Sequence, residues 1–342
     1  MSSPDAPAIA DRLGHYYQVD GTYLVGREKV REYARAVQDY HPVHRDETAA
    51  AALGYAGLVT PLTFTSIPAM TANRQLLETV VVGYETYVQT EQVFEQHRPI
   101  VEGDELTTDV ELTGVRRIAG RDMFTITNTF TDAAGETVHS MHTTVVGVSS
   151  DEVDSSMTEL ARSLMVHDVT VLSTDGFDAE YHKTVRPDVP QRISTAGVDR
   201  TPGSLRFDDL AVGDVLPLRH ARLSRGDLVN YAGVSGDGNP IHWDEPIAKA
   251  AGLPDVIAHG MLTMGLGAGF VSAWSGDPGA VTRYSVRLSQ VAVVPALGGG
   301  DIEFSGKIKS LDPETRSGVV ILVAKSGGRK IFGLATMNIR FS

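Results

Sequence analysis

At 342 residues the chain is long enough for two ordinary domains or one large one, and 42% hydrophobic with 21% charged residues is a globular composition. Its 43 acidic against 30 basic residues give a formal charge of −13, which excludes nucleic acid or an anionic membrane as the main partner, because both need a basic face. The lack of cysteine removes disulfides, thiol nucleophiles and thiolate metal sites, and it accords with the cytoplasm.

The N-terminal stretch MSSPDAPAIADRLGHYYQVDG has neither a basic nor an apolar segment of secretory type. The longest apolar run, about 14 residues from Met261, is too short to span a bilayer and suits a core helix. A cytoplasmic protein without membrane insertion is expected.

An internal repeat sets the architecture. Residues 33–60 (YARAVQDYHPVHRDETAAAALGYAGLVT) lie without a gap over 231–258 (YAGVSGDGNPIHWDEPIAKAAGLPDVIA). Tyr33 meets Tyr231, Asp39 meets Asp237, Pro42 meets Pro240, His44 meets His242 and Gly54 meets Gly252, each pair 198 positions apart. Each copy continues into strand-like runs rich in Val, Ile, Thr and Phe, over 78–149 and again over 281–341, divided by Gly, Asp and Pro turns. Four strands after one central helix predict an antiparallel sheet wrapped round that helix, with helices near 48–72 and 246–273. The two sheets are expected to pair edge to edge.

Between the copies, residues 150–205 turn polar and then rich in Pro, Gly and Ser, as linkers are. Only ELARSLMVHDVTVL (159–172) suggests a short helix and strand on the surface. Three segments follow: 1–149, the linker 150–205, and 206–342.

Polar chemistry concentrates in 231–260. Ser224 can cap the apolar-periodic run before it. Gly236, Gly238 and Pro240 then break the helix and place Asp237 and His242 in a kinked loop. A carboxylate and a neutral imidazole converging on one water can remove its proton and return one elsewhere. Asn239 can orient a carboxylate or a turn through its amide, and Asn239 and Ser235 are the expected supports of the pair. Gly260 opens the apolar run, where a free helix-terminal amide and no side chain would admit a carbonyl oxygen. His259 lines the site or is an ordinary buried histidine. His242 and Asp244 suggest no metal, since no third ligand is evident. No HExxH, GxSxG or G-x-G-x-x-G context is present.

The stretch YAGVSGDGNPIHWDE resembles the hydratase motif of the MaoC-like, or (R)-specific enoyl hydratase, family of hotdog folds. The C-terminal half, with AHGMLTMGLGAGFVSAWSGDPGAV, looks like the catalytic subunit of (3R)-hydroxyacyl-ACP dehydratase of mycobacterial type-II fatty acid synthesis. The N-terminal half, with VGREKVREYARAVQDYHP and GYAGLVTPLTF, looks like its partner subunit. The resemblance implies an α+β double hotdog, a fusion of both subunits. It assigns the catalytic roles to Asp237 and His242 and the oxyanion amide to Gly260. The N-terminal copy keeps Asp39 and His44, but Gln38 replaces Gly236, His41 replaces Asn239, Pro61 replaces His259 and Leu62 replaces Gly260. This implies a degenerate second site in a half that serves as scaffold and acyl-chain channel.

The implied reaction is reversible dehydration of a (3R)-3-hydroxyacyl thioester to the trans-2-enoyl thioester, without a cofactor. The substrate carrier is ACP or CoA, and other fatty acid synthesis enzymes are implied partners. Arg283, Arg287, Lys325, Arg329 and Lys330 could form a local basic rim for an acidic carrier. A CoA-linked hydratase of lipid breakdown, a non-catalytic acyl-binding scaffold and a homodimer all remain open.

Overall fold

In a computed structural model, residues 11–81, 83–149, 155–165, 190–196 and 205–342 are described. The first half begins with β1 (Tyr16–Gln18), β2 (Tyr23–Leu24), α1 (Arg27–Ala36), α2 (Glu47–Ala52) and α3 (Ser66–Thr79). It continues through four long strands, β3 (Thr86–Gln96), β4 (Glu105–Ile118), β5 (Arg121–Thr131) and β6 (Glu136–Val148). Between the halves lie α4 (Ser155–Leu164) and β7 (Arg192–Ile193). The second half repeats the order with β8 (Val215–Leu223), α5 (Arg225–Ser235), α6 (Glu245–Ala250), α7 (Gly260–Ser275), β9 (Val281–Leu288), β10 (Gly300–Asp312), β11 (Ser317–Ser326), the short β12 (Arg329–Lys330) and β13 (Phe332–Arg340).

The strands form one sheet in the order β1-β4-β5-β6-β3-β9-β13-β11-β10-β8. Its two ends mirror each other about the β3–β9 seam, where the strands run antiparallel and Val93 faces Ser285. Pairing β3 with β9 satisfies two backbone edges that would otherwise be open to other chains. Across the seam Arg283 meets Glu95 at 3.2 Å and Arg287 meets Glu91 at 2.8 Å. Each half is an antiparallel sheet with helices, and together they form an α+β double hotdog. A strand before the helices, β1 or β8, joins each sheet beyond the four expected.

Inward residues alternate along the strands. On β5, Phe124, Ile126, Asn128 and Phe130 are buried at period two. The helix α7 buries thirteen of its sixteen residues, and a helix apolar on all sides belongs in a core. Its glycines let neighbouring backbone close in: a Cβ on Gly265 would stand 2.6 Å from Cγ1 of Val37 in the first half. The counterpart α3 is less apolar and buries Ala69, Ala72 and Leu76.

The helices expected over 48–72 and 246–273 are each broken in two. Gly54 and Gly252, at φ 80° and 79°, end α2 and α6 in the left-handed conformation. The amides of Tyr55 and Leu253 then bond back to the carbonyls of Ala50 and Ala248, as in a Schellman closure. In the connecting region, β7 pairs in parallel with β6 and exposes Arg192 and Ile193. The strand anticipated up to residue 172 lies outside the described residues. No helix among the described residues is long and apolar enough to cross a membrane.

Candidate active site

Ser224 caps α5 with a reciprocal capping box to Asp227, and Gly236, at φ 82°, closes the helix in the left-handed region. The chain then turns through Asp237 into a short 3-10 helix, Pro240–His242. Side-chain oxygens hold this turn. The Asp237 amide donates to Ser235 Oγ at 3.2 Å, the Asn239 amide to Asp237 Oδ1 at 3.4 Å, and the Ile241 amide to Asn239 Oδ1 at 3.2 Å. Ser235 and Asn239 thus shape the loop that carries Asp237.

His242 is buried, and its Nδ1 lies 2.8 Å from the Ile257 carbonyl oxygen. A carbonyl only accepts, so Nδ1 carries the proton and Nε2 keeps the lone pair of a base. Burial lowers the pKa of His242 and favours the neutral ring, an effect only partly offset by the nearby Asp237 charge and the Ile257 bond. Asp237 is only partly buried. The sequence suggested no third ligand, yet the structure brings His259 to the pair: Asp237, His242 and His259 each place one ligating atom within 4.8 Å of the others. The two rings stack face to face, with centroids 3.8 Å apart and planes at 27°. Lone pairs lie in ring planes, so stacked imidazoles run side by side instead of converging on one ion as tetrahedral coordination needs.

His259 takes the N-cap position of α7 without a side-chain capping bond, and Gly260 follows as the first residue of the helix, partly exposed. The amides of a first helical turn lack partners within the helix, and the helix dipole favours negative charge there. Beside Gly260 stands Gln89, contributed by β3 of the first half. A Cβ on Gly260 would lie 3.6 Å from Gln89 Oε1 and 2.9 Å from Leu288 Cδ1. Gln89 Nε2 donates to Oε1 of the buried Gln92 at 2.8 Å, and that oxygen also accepts from Thr143. No local sequence signal marks Gln89. A break in the β3–β6 register between Gln89 and Glu91, which sets Gln89 on the same face as Gln92, and the β3–β9 seam bring it there.

The N-terminal pair repeats this local geometry and loses its access. Gln38 takes the left-handed position of Gly236, at φ 50°, with its side chain donating to the Arg222 carbonyl. The His41 amide donates to Asp39 Oδ1, His41 Nδ1 accepts from the Val43 amide, and His44 Nδ1 meets the Val59 carbonyl at 2.6 Å. Nε2 of His44 lies 3.2 Å from Asp39 Oδ2, near enough for an ion pair though not aligned as a hydrogen bond. Burial pushes the Asp39 carboxyl up, but the His44 charge and its hydrogen-bond partners outweigh that and leave its pKa lowered. Asp39 is 2% exposed and His44 is fully buried.

The basic rim is thinner than its sequence suggests. Arg283 and Arg287 pair with Glu95 and Glu91 in the seam, and Lys325 meets Glu303 at 3.2 Å.

Residues 12–141 match the FAS1-like dehydratase domain region, and residues 211–323 match the MaoC-like domain. A UPF0336 protein of Saccharopolyspora erythraea is 37% identical over 142 residues, which span 41% of this chain and 91% of that protein. A UPF0336 protein of Mycobacterium leprae is 37% identical over 143 residues, covering 41% of this chain and 86% of its own length. Among solved structures, one described as a MaoC-like dehydratase is 66% identical, with a TM-score of 0.93 over 98% of this chain and 100% of that one. A Mycobacterium tuberculosis protein with a double hotdog fold aligns over 97% of each chain at 15% identity, with a TM-score of 0.63, and is alike in fold alone. Two hotdogs, two matching dehydratase regions and a 66% identical structure over essentially the whole length agree: the chain belongs to the MaoC-like dehydratase family.

Proposed function

We propose that this protein interconverts a (3R)-3-hydroxyacyl thioester and its trans-2-enoyl thioester, with Asp237 and His242 as the reacting pair. One observation carries the reading: His242, with Nε2 left as a base, and a partly exposed Asp237 cluster with His259, the residue just before the helix that opens at Gly260. In hydration the Gly260 N–H holds the thioester oxygen and stabilises enolate-like charge as it develops. Asp237 and His242 orient a water and take its proton as it attacks C3, and a proton is returned to C2 on the same face. The thioester itself acidifies C2, so the chemistry calls for no cofactor.

The same proposal divides the chain into an N-terminal hotdog, 1–149, for scaffold and acyl-chain binding, a linker, 150–205, and a catalytic hotdog, 206–342. The burial of Asp39 and His44 supports giving the first half no reaction of its own. In fatty acid synthesis in the cytoplasm, ACP would carry the chain. The pairing of Arg283, Arg287 and Lys325 with glutamates favours the second reading, CoA as carrier, by removing three charges from the rim an acidic protein would need. The test follows the loss of enoyl absorbance with crotonyl and long-chain trans-2-enoyl thioesters, each on CoA and on ACP. Turnover on ACP at least about tenfold above CoA at equal chain length supports the first carrier, a difference on the order of 1.4 kcal/mol in barrier. Inertness towards all four would end the proposed reaction.

A further inference from the structure

We propose that His259 is a positioning residue that locks Asp237 and His242 into one arrangement, an inference that rests on the reaction proposed above. The ring of His259 stacks on His242, and its Nε2 lies 3.2 Å from the main-chain oxygen of Asp237. One fully buried side chain therefore touches both members of the pair, through its face and through its edge. The Tyr231 ring also packs against it, with centroids 4.8 Å apart and planes tilted by 55°.

The tautomer follows from the partner. The Asp237 oxygen accepts, so Nε2 carries the proton and Nδ1 is left bare. That Nδ1 is buried and meets no hydrogen-bond partner. A buried acceptor without a partner is costly, and a leucine or phenylalanine would fill the space without that cost. Packing alone does not explain an imidazole here. Its Nε2–H does, because it holds the main-chain oxygen of Asp237, whereas the bonds involving Ser235, Asn239 and Trp243 fix other atoms of the turn, and Gly236 and Gly238 flank Asp237 with open space where a Cβ would be. Burial and the neighbouring His242 hold His259 down at about 2, so it stays neutral and does not compete for the transferred proton. The N-terminal copy has Pro61 at this position, which offers neither a ring to stack nor an N–H.

Two variants of the full chain separate the ring from the donor. His259→Phe keeps a flat ring and removes the N–H. His259→Gln removes the ring and keeps an amide N–H at about the reach of Nε2. With crotonyl-CoA as probe, His259→Phe should lower kcat by about 10- to 100-fold with KM changed by less than about twofold, as expected when reacting groups drift by about an ångström. His259→Gln should recover part of that loss. Amide hydrogen exchange over 235–242 should speed up by about tenfold in the Phe variant and less in the Gln variant, the sign of a loop that opens locally more often. The exchange readout needs no turnover, so it still decides the positioning role should the wild-type protein hydrate no enoyl thioester. Unchanged kcat and unchanged exchange in His259→Phe would overturn the proposal. So would a parallel loss of kcat, KM and melting temperature in both variants, which would mark a purely structural residue.

Discussion

The Asp39 carboxyl group packs directly on the α-carbon of Gly269: a Cβ there would stand 3.0 Å from its Cγ and 3.2 Å from its Oδ2. The helix α7 of the second half thereby closes over the first half's Asp–His pair, while the equivalent Asp237 stays partly open. Two copies of one local geometry are made unequal by a single helix packing against one of them.

Gly269→Ala should therefore destabilise the protein. Overpacking a filled site costs about 1–3 kcal/mol, and alanine returns at most about 1 kcal/mol in helix propensity. A urea titration should show a lower midpoint, and the loss should shrink in an Asp39→Ala background, where the side-chain carboxyl is gone. An unchanged or higher midpoint for Gly269→Ala would show that Asp39 does not bear on this helix.

Asp39→Asn and His44→Ala are expected to act on stability. Breaking a buried pair by removing one partner costs about 3–5 kcal/mol, because the other charge stays buried. Since the folded Asp39 carboxyl lies below its ordinary value, its contribution is present above about pH 3.9, the unfolded value, and is lost as pH falls through the folded one. The pH dependence of unfolding below about 4 should flatten in Asp39→Asn.

Five buried or half-buried histidines, His41, His97, His139, His242 and His259, govern the range above that. Burial is the first cause in each, lowering His41, His97 and His242 and taking His139 to about 3 and His259 to about 2; a neighbouring histidine adds to it at His41, His139 and His259, while a carboxylate opposes it at His97 and His242. Their folded values lie below the unfolded value of about 6.5, so the unfolded chain binds more protons as pH falls from there. Stability should be flat near neutrality and fall below about pH 6.5, with up to about five protons taken up on unfolding. Urea midpoints measured from pH 8 to pH 4.5 check this. A midpoint that rises on acidification would contradict the burial of these rings.

The loop chemistry was legible because it is local. Asp237, Asn239, Pro240 and His242 fix one another's backbone within six residues, and the same spacing at Asp39 to His44 exposed the repeat and hence the double hotdog. The break after α2 and α6 was also written in the sequence, as Gly54 and Gly252 behind alanine-rich runs, but the apolar run beyond hid it. Long-range packing left no such trace. Nothing near Asp39 says that Gly269 will cover it, nothing near Gln89 says that a strand seam will deliver it to Gly260, and His259 by itself is indistinguishable from an ordinary core histidine.

Gly260→Ala tests the amide proposed to hold the thioester oxygen. The nearest obstacle to a new methyl is Leu288 Cδ1 at 2.9 Å, the tip of a side chain that can swing aside. Stability should change by less than about 1 kcal/mol, the gain in helix propensity offsetting part of the contact. Crowding at the amide should lower kcat for enoyl hydration by about 10- to 100-fold. Full activity in a folded variant would remove Gly260 from the mechanism.

The most direct measurement is crotonyl-CoA hydration by four variants with matched folded fractions: Asp237→Asn, His242→Ala, Asp39→Asn and His44→Ala. Losing either member of a pair that acts on one water should lower turnover by at least about 100-fold, so the first two should be nearly inactive and still bind substrate. The last two should keep most of their activity per folded molecule, because their side chains are closed off beneath α7. Comparable losses from both pairs with folding intact, or no loss from Asp237→Asn and His242→Ala, would contradict the assignment of the reaction to the second half.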